Sequence, residues 1–469
     1  MTLRHWRPGG PWPTPVLTPE QVHLVDDAAP DIASLIERAG RAVARVAIEV
    51  LGGTYGRRVV VVAGPGNNGA DGLVAARRLA ERGVRVEVVD PEVSSIGECD
   101  LVIDAAFGTG LSRRYEAPLL VADQRVLAVD VPSGLDATVG TDLGSNAAGV
   151  TVTFGGPKVG MFLGDGPSVC GDVVVVDIGL DLGPAAVRTW MVDDEVARTV
   201  LPRRQRSDHK WNSAVRVVAG SAGMWGAARL TAGSAIRAGA GMVVAGGLVP
   251  EVPPGLPVEV VGRGTAGDRP EDRVASVLSD LHRFGSLVVG PGLGAGGQTA
   301  AAVASLIVES PVPCVVDADG LRFLAGRPEV IAGAVSPIVI TPHDGEYAQL
   351  VGFAPERDRV DAARRLAATT QATVLLKGPT TVVASPEGDV WLSTEGDERL
   401  ATAGSGDVLA GAIGAVLACH RGSDIDDMAR LIAATAHWHA IAGRVAGRLG
   451  VVAGDIVGSM GAARAIIEG

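Results

Sequence analysis

Short, uninterrupted apolar runs alternate with alanine-rich stretches along almost the whole chain, and this alternation restricts the fold more than any other feature. Residues 59–62 are four consecutive valines, and residues 73–82 after them have the composition of a helix that ends at Gly83. Strands that are apolar throughout must be covered on both faces, which is typical of parallel sheets flanked by helices. We therefore predict an α/β fold built on doubly wound parallel sheets.

The alternation occurs in two blocks. Strand candidates of the first block are residues 59–62, 84–89, 101–103, 127–129, 150–154 and 173–176. Candidates of the second block are strands 215–219, 287–289, 314–316, 338–340 and 374–376, followed by two long helices, 406–420 and 426–448. A polar, proline-containing stretch at residues 201–208 separates the blocks, which show no internal repeat. We therefore predict two different α/β domains, residues 1–200 and 201–469.

Composition and charge limit the classes of partner. The net charge of −12 argues against nucleic-acid or anionic-membrane partners, whereas a nucleotide can still be bound locally by loop amides. No apolar signal segment opens the chain, and glycine or proline interrupts its long uncharged stretches, so we expect a cytoplasmic protein without a membrane span. The scattered cysteines indicate reduced thiols: Cys99, Cys170, Cys314 and Cys419.

Two glycine-rich loops have the composition of phosphate-binding sites. Residues 63–72 read Ala-Gly-Pro-Gly-Asn-Asn-Gly-Ala-Asp-Gly, and residues 401–407 read Ala-Thr-Ala-Gly-Ser-Gly-Asp. Each loop precedes a predicted helix, whose free N–H groups and positive dipole end favour an anion. Two such loops so far apart in the chain suggest two nucleotide-handling domains.

Three aspartates accompany the first loop. Asp71 lies within it, and Asp104 and Asp130 each end a predicted strand. Ligands of open parallel sheets bind outside the carboxyl ends of the strands, so carboxylates there indicate a pocket with acid/base capacity. A single aspartate at a strand end is more often a helix cap or a turn residue, but the combination favours a site.

Together these motifs resemble the NAD(P)H-hydrate epimerase family over about residues 15–180. The residues that carry the resemblance are 64–72, 108–111, 130–136 and 151–154, with Lys158 and Gly160. That family interconverts the two C6 epimers of hydrated NADH and NADPH, and the resemblance implies a Rossmann-like domain.

The resemblance also implies roles for individual residues. The dinucleotide would be held by Asn67, Asn68, Gly69, Ala70, Asp71, Gly108, Thr109, Gly110, Leu111, Ser112, Arg113, Arg114 and Asp130. A potassium ion would be held by Asn68, Asp104 and Ser133. Asp130 is the predicted proton-transfer residue, and Lys158 is either its electrostatic partner or a solvated loop lysine. Ala70 replaces the usual glycine of the family, so its methyl group would crowd the loop if that residue requires a positive φ.

The second loop has the groups that phosphoryl transfer needs. The amides of residues 404–406 can form an anion hole, and Asp407 in the first helical turn can take a proton from a hydroxyl nucleophile. Taken alone, the Gly-Ser-Gly-Asp run is equally compatible with a capped helix start. Further motifs follow strands in this half: residues 220–228, 290–294, 317–321, 341–346 and 377–378. Together they resemble the ADP-dependent NAD(P)H-hydrate dehydratase family, a branch of the ribokinase-like fold, over about residues 205–465.

This second resemblance implies a reaction and its residues. Asp407 would deprotonate the C6 hydroxyl, the β-phosphoryl group of ADP would be transferred to it, and elimination would restore the dihydronicotinamide. Contacts to the hydrate would come from Ala227, Gly292, His343 and Asp407. Contacts to the adenine nucleotide would come from Lys377, Gly378, Pro379, Thr380, Thr381 and Gly406. Glu346 would help to hold Mg²⁺, which neutralises phosphate charge.

Three histidines and two departures from the family pattern also bear on the predicted site in the second half of the chain. His343 on its own would be read as structural, and its Thr-Pro-His setting favours a site. His437 and His439 are two residues apart on a predicted helix, which argues against a metal pair. Trp211 stands where the family usually has glycine, and residues 396–399 replace a Gly-Asn-Pro pattern. We expect both departures to affect lid and substrate contacts and not the central chemistry.

The sequence therefore predicts a bifunctional NAD(P)H-hydrate repair enzyme that uses ADP, K⁺ and Mg²⁺ and forms a homo-oligomer. One alternative is a ribokinase-like, ATP-dependent small-molecule kinase fused to a nucleotide-binding domain. Another is a non-catalytic nucleotide sensor or secreted partner-binding protein. The sequence leaves open the choice between ADP and ATP and between the NADH and NADPH hydrates.

Overall fold

A computed structural model of the protein describes residues 3–5, 13–111, 113–294, 297–420 and 427–469. The chain forms two compact units, Met1–Trp190 and Met191–Gly469. No helix within these described residues is long and apolar enough to cross a membrane.

The first unit contains a seven-stranded parallel sheet. Its strands are β1 Leu3–His5, β2 Arg58–Ala63, β3 Arg85–Val89, β5 Leu101–Ala105, β7 Val126–Val129, β8 Val150–Phe154 and β9 Asp172–Val176, in the order β1-β9-β8-β7-β5-β2-β3. Two short strands, β4 Ser95–Ile96 and β6 Leu119–Leu120, pair separately. The helices are α1 Pro19–Ala28, α2 Ile32–Leu51, α3 Asn67–Ala80 and α4 Gly166–Val169, with 3-10 turns at Val159–Met161 and Gly183–Ala185.

The valine run of β2 is buried on both faces of this sheet. Val59 and Val61 pack in a cluster with α2 and α3, whereas Val60 and Val62 pack in a second cluster with Val102 of β5. Successive strand residues point to opposite faces, so two covered faces require an uninterrupted apolar run. The apolar composition of the strand thus follows directly from its central position in the sheet.

The second unit contains the larger sheet. Its strands are β10 Thr189–Met191, β11 Ala214–Val218, β12 Met242–Gly246, β13 Val260–Gly262, β14 Ser286–Val289, β15 Cys314–Val316, β16 Ile338–Ile340, β17 Thr373–Leu376, β18 Thr381–Ala384 and β19 Val390–Ser393. Their order is β10-β19-β18-β17-β16-β15-β14-β11-β12-β13, and the division between the two units falls within β10. Strands β11 to β17 pair in parallel with one another, whereas β18 is antiparallel to both of its neighbours, β17 and β19.

Ten helices of the second unit lie in the described residues. They are α5 Asp194–Val200, α6 Trp225–Arg237, α7 Pro270–Leu281, α8 Gly297–Glu309, α9 Asp319–Arg322, α10 Asp344–Val351, α11 Arg359–Thr370, α12 Ser405–Cys419, α13 Met428–Ala446 and α14 Ala453–Glu468, with 3-10 turns at Pro328–Gly333 and Glu398–Leu400. Helix α12 is buried from Val408 to Ala418 and packs closely on α6. A Cβ atom at Gly411 would lie 2.1 Å from the carbonyl oxygen of Thr231, so glycine permits this approach. The helix that begins with the Gly-Ser-Gly-Asp loop is therefore held firmly in the core.

The structure confirms the α/β class, and each predicted strand overlaps an observed one. Three details differ. Helix α3 begins at Asn67, earlier than predicted, because the glycine loop itself supplies its first turn. The last sheet has an antiparallel edge, and a third long helix, α14, follows α13. Residue 426, the predicted start of α13, lies outside the described residues.

The division between the compact units also precedes the predicted boundary. The Val192 amide donates to Leu392 of β19 over 2.9 Å, and α5 packs against α13 of the second unit. Residues 191–200 therefore belong with the second unit, and the polar stretch 201–208 is a connection inside it. A polar, proline-rich composition marks an exposed connection but does not show which core the preceding segment joins.

Candidate active sites

The first glycine loop turns β2 directly into α3. Gly66 is the N-cap residue and provides no side-chain cap, so the N–H groups of the first turn remain available to an anion. A Cβ atom at Gly69 would lie 1.8 Å from the carbonyl oxygen of Gly64, so this turn can close only around glycine. Ala70 lies within α3 and has no positive φ, so its methyl group does not strain the loop as the sequence had suggested.

A cavity of about 530 Å³ opens beside this loop in the first unit. Helices α1 and α2 supply an apolar wall, with Val22, Ile32 and Leu35 among its residues. The cavity brings together these predicted site residues: Asn67, Asn68, Asp71, Gly108, Thr109, Gly110, Leu111, Arg113 and Asp130. Gly69, Ala70 and Arg114 do not line it, and Ser112 lies outside the described residues.

Asp130 and Lys158 form a buried ion pair in this cavity. The Lys158 ammonium contacts the Asp130 carboxylate and donates to the Thr153 hydroxyl over 2.9 Å. Only 1% of the Lys158 side chain is exposed, which excludes the solvated alternative. Asp130 has φ +64°, a conformation that non-glycine residues rarely adopt and that is often found at functional sites. The ion pair thus fixes the Asp130 carboxyl group at the wall of the cavity.

Asp71 has a different environment from Asp130, although both line the same cavity. Its Oδ1 atom is buried and lacks a hydrogen-bond partner within the described part of the chain. Burial, followed by repulsion from Asp130 and Asp26, raises the pKa of Asp71 to about 8. Asp26 extends from α1, and its own pKa is raised first by burial and then by Asp130. Asp71 therefore retains its proton to a higher pH than an ordinary aspartate does, while Asp130 is paired with Lys158.

Asp104 and Ser133 are connected by a buried network next to the cavity. The Asp104 carboxylate accepts from the Ser133 amide over 2.8 Å and from its hydroxyl over 2.6 Å. Burial raises the pKa of Asp104, and these hydrogen bonds oppose the rise. Neither polar atom of the buried Asn68 amide has a partner among the residues described. A buried amide oxygen without a partner is compatible with an alkali-metal ion.

The second unit has a cavity of about 500 Å³ at the carboxyl ends of its parallel strands. It brings together all four residues predicted to contact the hydrate: Ala227, Gly292, His343 and Asp407. Other groups that line it are Met224, Asp319, Arg322, Glu346 and Gln349. Gly292 has φ +62°, and a Cβ atom there would lie 2.8 Å from that of Ala227. Glycine at position 292 therefore keeps this wall of the cavity open.

Asp407 lies in the first turn of α12, close to a buried cluster of charges. Burial and then Asp317 raise the pKa of Asp407 to about 7, although Lys377 acts in the opposite direction. The Lys377 ammonium lies 2.5 Å from the Asp317 carboxylate and 3.9 Å from that of Glu346. Burial would lower the pKa of Lys377, but these carboxylates outweigh it and raise that pKa. A carboxyl group that titrates near neutrality is well suited to general base catalysis.

The second glycine loop is held from both sides. Gly404 caps α12 with φ +92°, and the Ser405 hydroxyl donates to the Leu400 carbonyl over 2.7 Å. A Cβ atom at Gly406 would lie 3.3 Å from the Lys377 Nζ atom, so this amide and this ammonium are neighbours. The loop and Lys377 therefore offer positive charge to one anion.

The other predicted nucleotide contacts lie on the turn between β17 and β18. Gly378 and Pro379 are exposed, Thr380 is buried and Thr381 begins β18; none of these four lines the cavity. Arg359 donates to the Lys377 carbonyl over 2.7 Å and so fixes the start of the turn. The structure thus brings Lys377 to the glycine loop and leaves the remaining turn residues beside it.

His343 has both a structural role and a position in the cavity. Its Nδ1 atom accepts from the Gly345 amide over 3.0 Å and from the Glu346 amide over 3.2 Å, which caps α10. The Glu346 carboxylate in turn accepts from the His343 amide over 2.9 Å. His343 also lines the cavity, and 59% of its side chain is exposed. The capping role fixes the ring that the cavity presents to a ligand.

The two sequence departures occupy different places. Trp211 packs edge-on against Phe284, with ring centroids 5.6 Å apart, and does not line the cavity. The segment 396–399 leads into the Glu398–Leu400 turn, where Asp397 accepts from the Arg399 amide over 3.0 Å. The second departure therefore adjoins the glycine loop through Leu400, and the first lies apart from the site.

Several site residues could not be assigned from the sequence. Asp26 and His23 face the first cavity from α1, one helical turn apart, and nothing in their local sequence marks them. Asp317 follows the end of β15 in the Asp-Ala-Asp run, and its position after a strand end is the one sequence signal that marks it. Asp319 and Arg322 form a 3.1 Å ion pair in the second cavity.

Comparisons with known protein families match both halves of the chain. The model described as NAD(P)H-hydrate dehydratase matches residues 215–453. The model described as YjeF-related protein N-terminus matches residues 32–97 and 89–160. A solved dehydratase from Bacillus subtilis, titled as ADP/ATP-dependent and co-crystallised with ATP and Mg²⁺, is 26% identical with a TM-score of 0.47; the match covers 59% of this chain and 98% of that one.

Curated relatives match the two halves together. The bifunctional NAD(P)H-hydrate repair enzyme Nnr of Mycobacterium tuberculosis is 39% identical over 73% of this chain and 74% of its own length. The enzyme of the same name from Synechocystis is 31% identical over 95% of this chain and 93% of its own length. The predicted fold class, a Rossmann-like domain followed by a ribokinase-like α/β domain, agrees with these matches. Matches of this extent, on a chain with a separate polar cavity in each unit, show that it belongs to the family of bifunctional NAD(P)H-hydrate repair enzymes.

Proposed function

We propose that the first unit epimerises hydrated NADH and NADPH at C6 and that the second unit dehydrates the S epimer at the expense of ADP. Family membership supports this function, and the observation that carries it is the presence of two cavities with titratable carboxyl groups. One cavity contains the Asp130–Lys158 pair and the other contains Asp407 beside Lys377. The epimerase would convert the R form into the substrate of the dehydratase.

In the first unit, the hydrated nicotinamide would bind against the Asp130 carboxylate. The apolar wall from α1 and α2 suits the ring, and the α3 N-terminus suits a phosphate of the dinucleotide. Lys158 contacts the Asp130 carboxylate and fixes it against the cavity, where it would accept a proton during epimerisation. The loop residues 108–111 and Arg113 would complete the dinucleotide site.

Potassium is proposed for the same unit at Asn68, Asp104 and Ser133. The unpartnered Asn68 amide oxygen and the buried Asp104–Ser133 network provide oxygen ligands, the kind that hard cations prefer. When bound, the ion would supply positive charge beside the dinucleotide. Among the described residues no group of three His, Cys, Asp or Glu side chains could hold a metal, so mixed ligands of this kind are required.

In the second unit, Asp407 would take the proton of the C6 hydroxyl while the loop amides and Lys377 position the β-phosphoryl group of ADP. Positioning and charge stabilisation account for most of the catalysis in phosphoryl transfer. Gly292 and Ala227 would accommodate the ring, and His343 would contact it from α10. The turn at residues 378–381 would contact the nucleotide from outside the cavity.

Mg²⁺ is proposed to bind with the nucleotide near Glu346. The Glu346 side chain is 12% exposed and lines the cavity, and burial raises its pKa, which Lys377 partly offsets. One Glu346 oxygen accepts from the His343 amide, so the carboxylate can offer its other oxygen to an ion or to a water of its shell. The ion would neutralise phosphate charge.

One experiment tests the proposed function. The full chain is incubated with a mixture of hydrate epimers, ADP, Mg²⁺ and K⁺, and the absorbance of reduced nicotinamide is followed. Complete conversion of the mixture is expected with both activities, and conversion of the S fraction alone would indicate the dehydratase only. No conversion, together with ATP-dependent phosphorylation of an alcohol, would support a small-molecule kinase instead. A homo-oligomeric, cytoplasmic protein is also proposed, with light scattering as the test of assembly.

A further inference from the structure

The first cavity contains two carboxyl groups that the proposed function does not use, those of Asp26 and Asp71. The charged and titratable residues that line the cavity come from every wall, and they are His23 and Asp26 on α1, Asp71 on α3, Arg113, Asp130 and Lys158. Lys158 is committed to Asp130, and Asp26 lies on the opposite helix. Asp71 is left near two other carboxylates without a partner of its own.

The position of Asp71 is fixed by the glycine loop. It lies in the second turn of α3, five residues after the Gly66 cap, and its residue is 7% exposed. Its Oδ1 atom has no hydrogen-bond partner in the described ranges. An unpaired carboxylate buried to this degree is costly, whereas a neutral carboxylic acid is tolerated and can donate. A polar group left unsatisfied in a ligand cavity suggests that the ligand provides its partner.

We propose that Asp71 is the general acid of the epimerase and that Asp130 is the complementary base. This inference rests on the proposed epimerase function. The two aspartates occupy one cavity but differ in their partners: Lys158 contacts Asp130 directly, whereas the buried Oδ1 atom of Asp71 has no hydrogen-bond partner among the described residues. Pairs of titratable groups in contrasting environments are how enzymes assign acid and base roles at one pH.

The chemistry balances with these two groups. Asp71 gives its proton to the C6 hydroxyl. The C6–O bond then breaks as the ring nitrogen supplies its electron pair; water departs, and an iminium ion is formed. Water then adds to the opposite face of C6, the iminium electrons return to nitrogen, and the surplus proton passes to Asp130. The product is the other epimer, with no oxidant or reductant required. In the reverse direction the two carboxyl groups exchange roles, and proton exchange with solvent resets them.

The pH dependence of the two groups distinguishes this role from a structural one. Burial and the neighbouring carboxylates Asp130 and Asp26 raise the pKa of Asp71 to about 8, so the donor form persists at neutral pH. The epimerisation rate should fall as the pH rises through about 8, because the acid is then lost. Asp26→Asn removes one of the charges that favour the proton on Asp71, so this decline should move to lower pH.

The test uses the full chain, the pure R hydrate and no ADP, with epimer ratios measured between about pH 5 and pH 10. Asp71→Asn should reduce the rate about 100-fold or more and abolish the alkaline decline. Asp26→Asn is assessed for the position of the decline. Dehydration of the pure S hydrate and the melting temperature of each preparation report folding, and Asn at position 71 removes an unfavourable buried ionisation, so a folded variant is expected.

Each result has a defined meaning. An Asp71→Asn variant that keeps more than about a tenth of the rate would overturn the acid role. An alkaline decline that does not move in Asp26→Asn would overturn it as well. A wild-type protein that does not interconvert the epimers would instead refute the proposed epimerase function, so the two failures are distinguishable.

Discussion

The substitution Asp407→Asn tests the dehydratase at its proposed base. Asparagine is nearly isosteric and can occupy the first turn of α12, but its amide cannot accept the proton of the C6 hydroxyl. The loop amides and Lys377 remain, so nucleotide binding should persist. Loss of a positioned base typically reduces the rate about 10² to 10⁴-fold, and the lower limit corresponds to about 2.7 kcal/mol of barrier.

The pH dependence of the dehydration rate provides a second quantitative test of Asp407. With a pKa of about 7, roughly nine-tenths of Asp407 is ionised at pH 8 and about one-tenth at pH 6. The wild-type rate should therefore fall about tenfold between pH 8 and pH 6, since only the ionised form can accept the proton. We call this decrease in rate at acidic pH the acid limb of the profile. It should be absent from the residual activity of Asp407→Asn.

The contribution of Asp407 to protein stability should fall as the pH rises, whereas the dehydration rate should increase. The fold raises the pKa of Asp407 from 3.8 to about 7, so the native state binds the proton more tightly than the unfolded chain does. The associated stability is present below about pH 4 and is lost as the pH rises to about 7, by at most about 4 kcal/mol. Asp407→Asn removes this loss, so the variant should melt no lower than wild type at pH 8.

The assay is turnover of the pure S hydrate with ADP and Mg²⁺, with nucleotide affinity measured by calorimetry. Asp455→Asn, which removes a carboxylate from the first turn of α14 outside the cavity, is the matched control. It should keep both the rate and the acid limb. A folded Asp407→Asn variant that keeps more than about a tenth of the turnover, or retains the acid limb, would refute the assignment of Asp407 as the base.

Three further predictions concern the two units and the first cavity. Residues 1–190 and 191–469, divided where the compact units divide, should each express as a folded protein with its own activity, and insolubility of both would argue against independent cores. Asp130→Asn should slow epimerisation about 10² to 10⁴-fold and leave dehydration of the pure S hydrate unchanged, whereas a near-normal rate would transfer the role elsewhere. Asn68→Ala should weaken the activation of the epimerase by K⁺ relative to Na⁺, and an unaltered titration would exclude Asn68 as a ligand.

The sequence predicted most of the central parallel strands, because strands such as β5, β7 and β14 are buried on both faces and so must be apolar throughout. The antiparallel strands β18 and β19 were missed although they are buried, and each is only four residues long. The hairpin from residue 377 onward reverses direction within a few residues, and its strands contain tryptophan, serine and threonine among the apolar residues. The first turn of α3 was missed because it is made of glycine and asparagine, which are poor helix formers that tertiary packing holds in place here.

The site was predictable where residues follow a strand end in the chain. Asp104 and Asp130 were singled out in this way, because the loops at the carboxyl ends of parallel strands converge. Asp407 was singled out by the Gly-Ser-Gly-Asp run that precedes its helix, and the structure places Asp130 and Asp407 on cavities. Asp26 could not be found, since α1 is remote in sequence and reaches the cavity through tertiary packing alone. The contrast between Asp71 and Asp130 was equally hidden, because it depends on which carboxylate Lys158 contacts.

The charge cluster beside the second glycine loop couples three binding equilibria. Asp317, Glu346 and Asp407 surround one ammonium group, so the cavity carries excess negative charge before a nucleotide enters. An incoming polyphosphate adds to that charge and must increase the affinity of the site for cations and protons alike. By thermodynamic reciprocity, Mg²⁺ and low pH each strengthen nucleotide binding to the same extent that nucleotide strengthens theirs. Protonation of Asp407 strengthens nucleotide binding but removes the base that catalysis requires. Tight nucleotide binding is therefore favoured at low pH, and fast turnover is favoured at high pH.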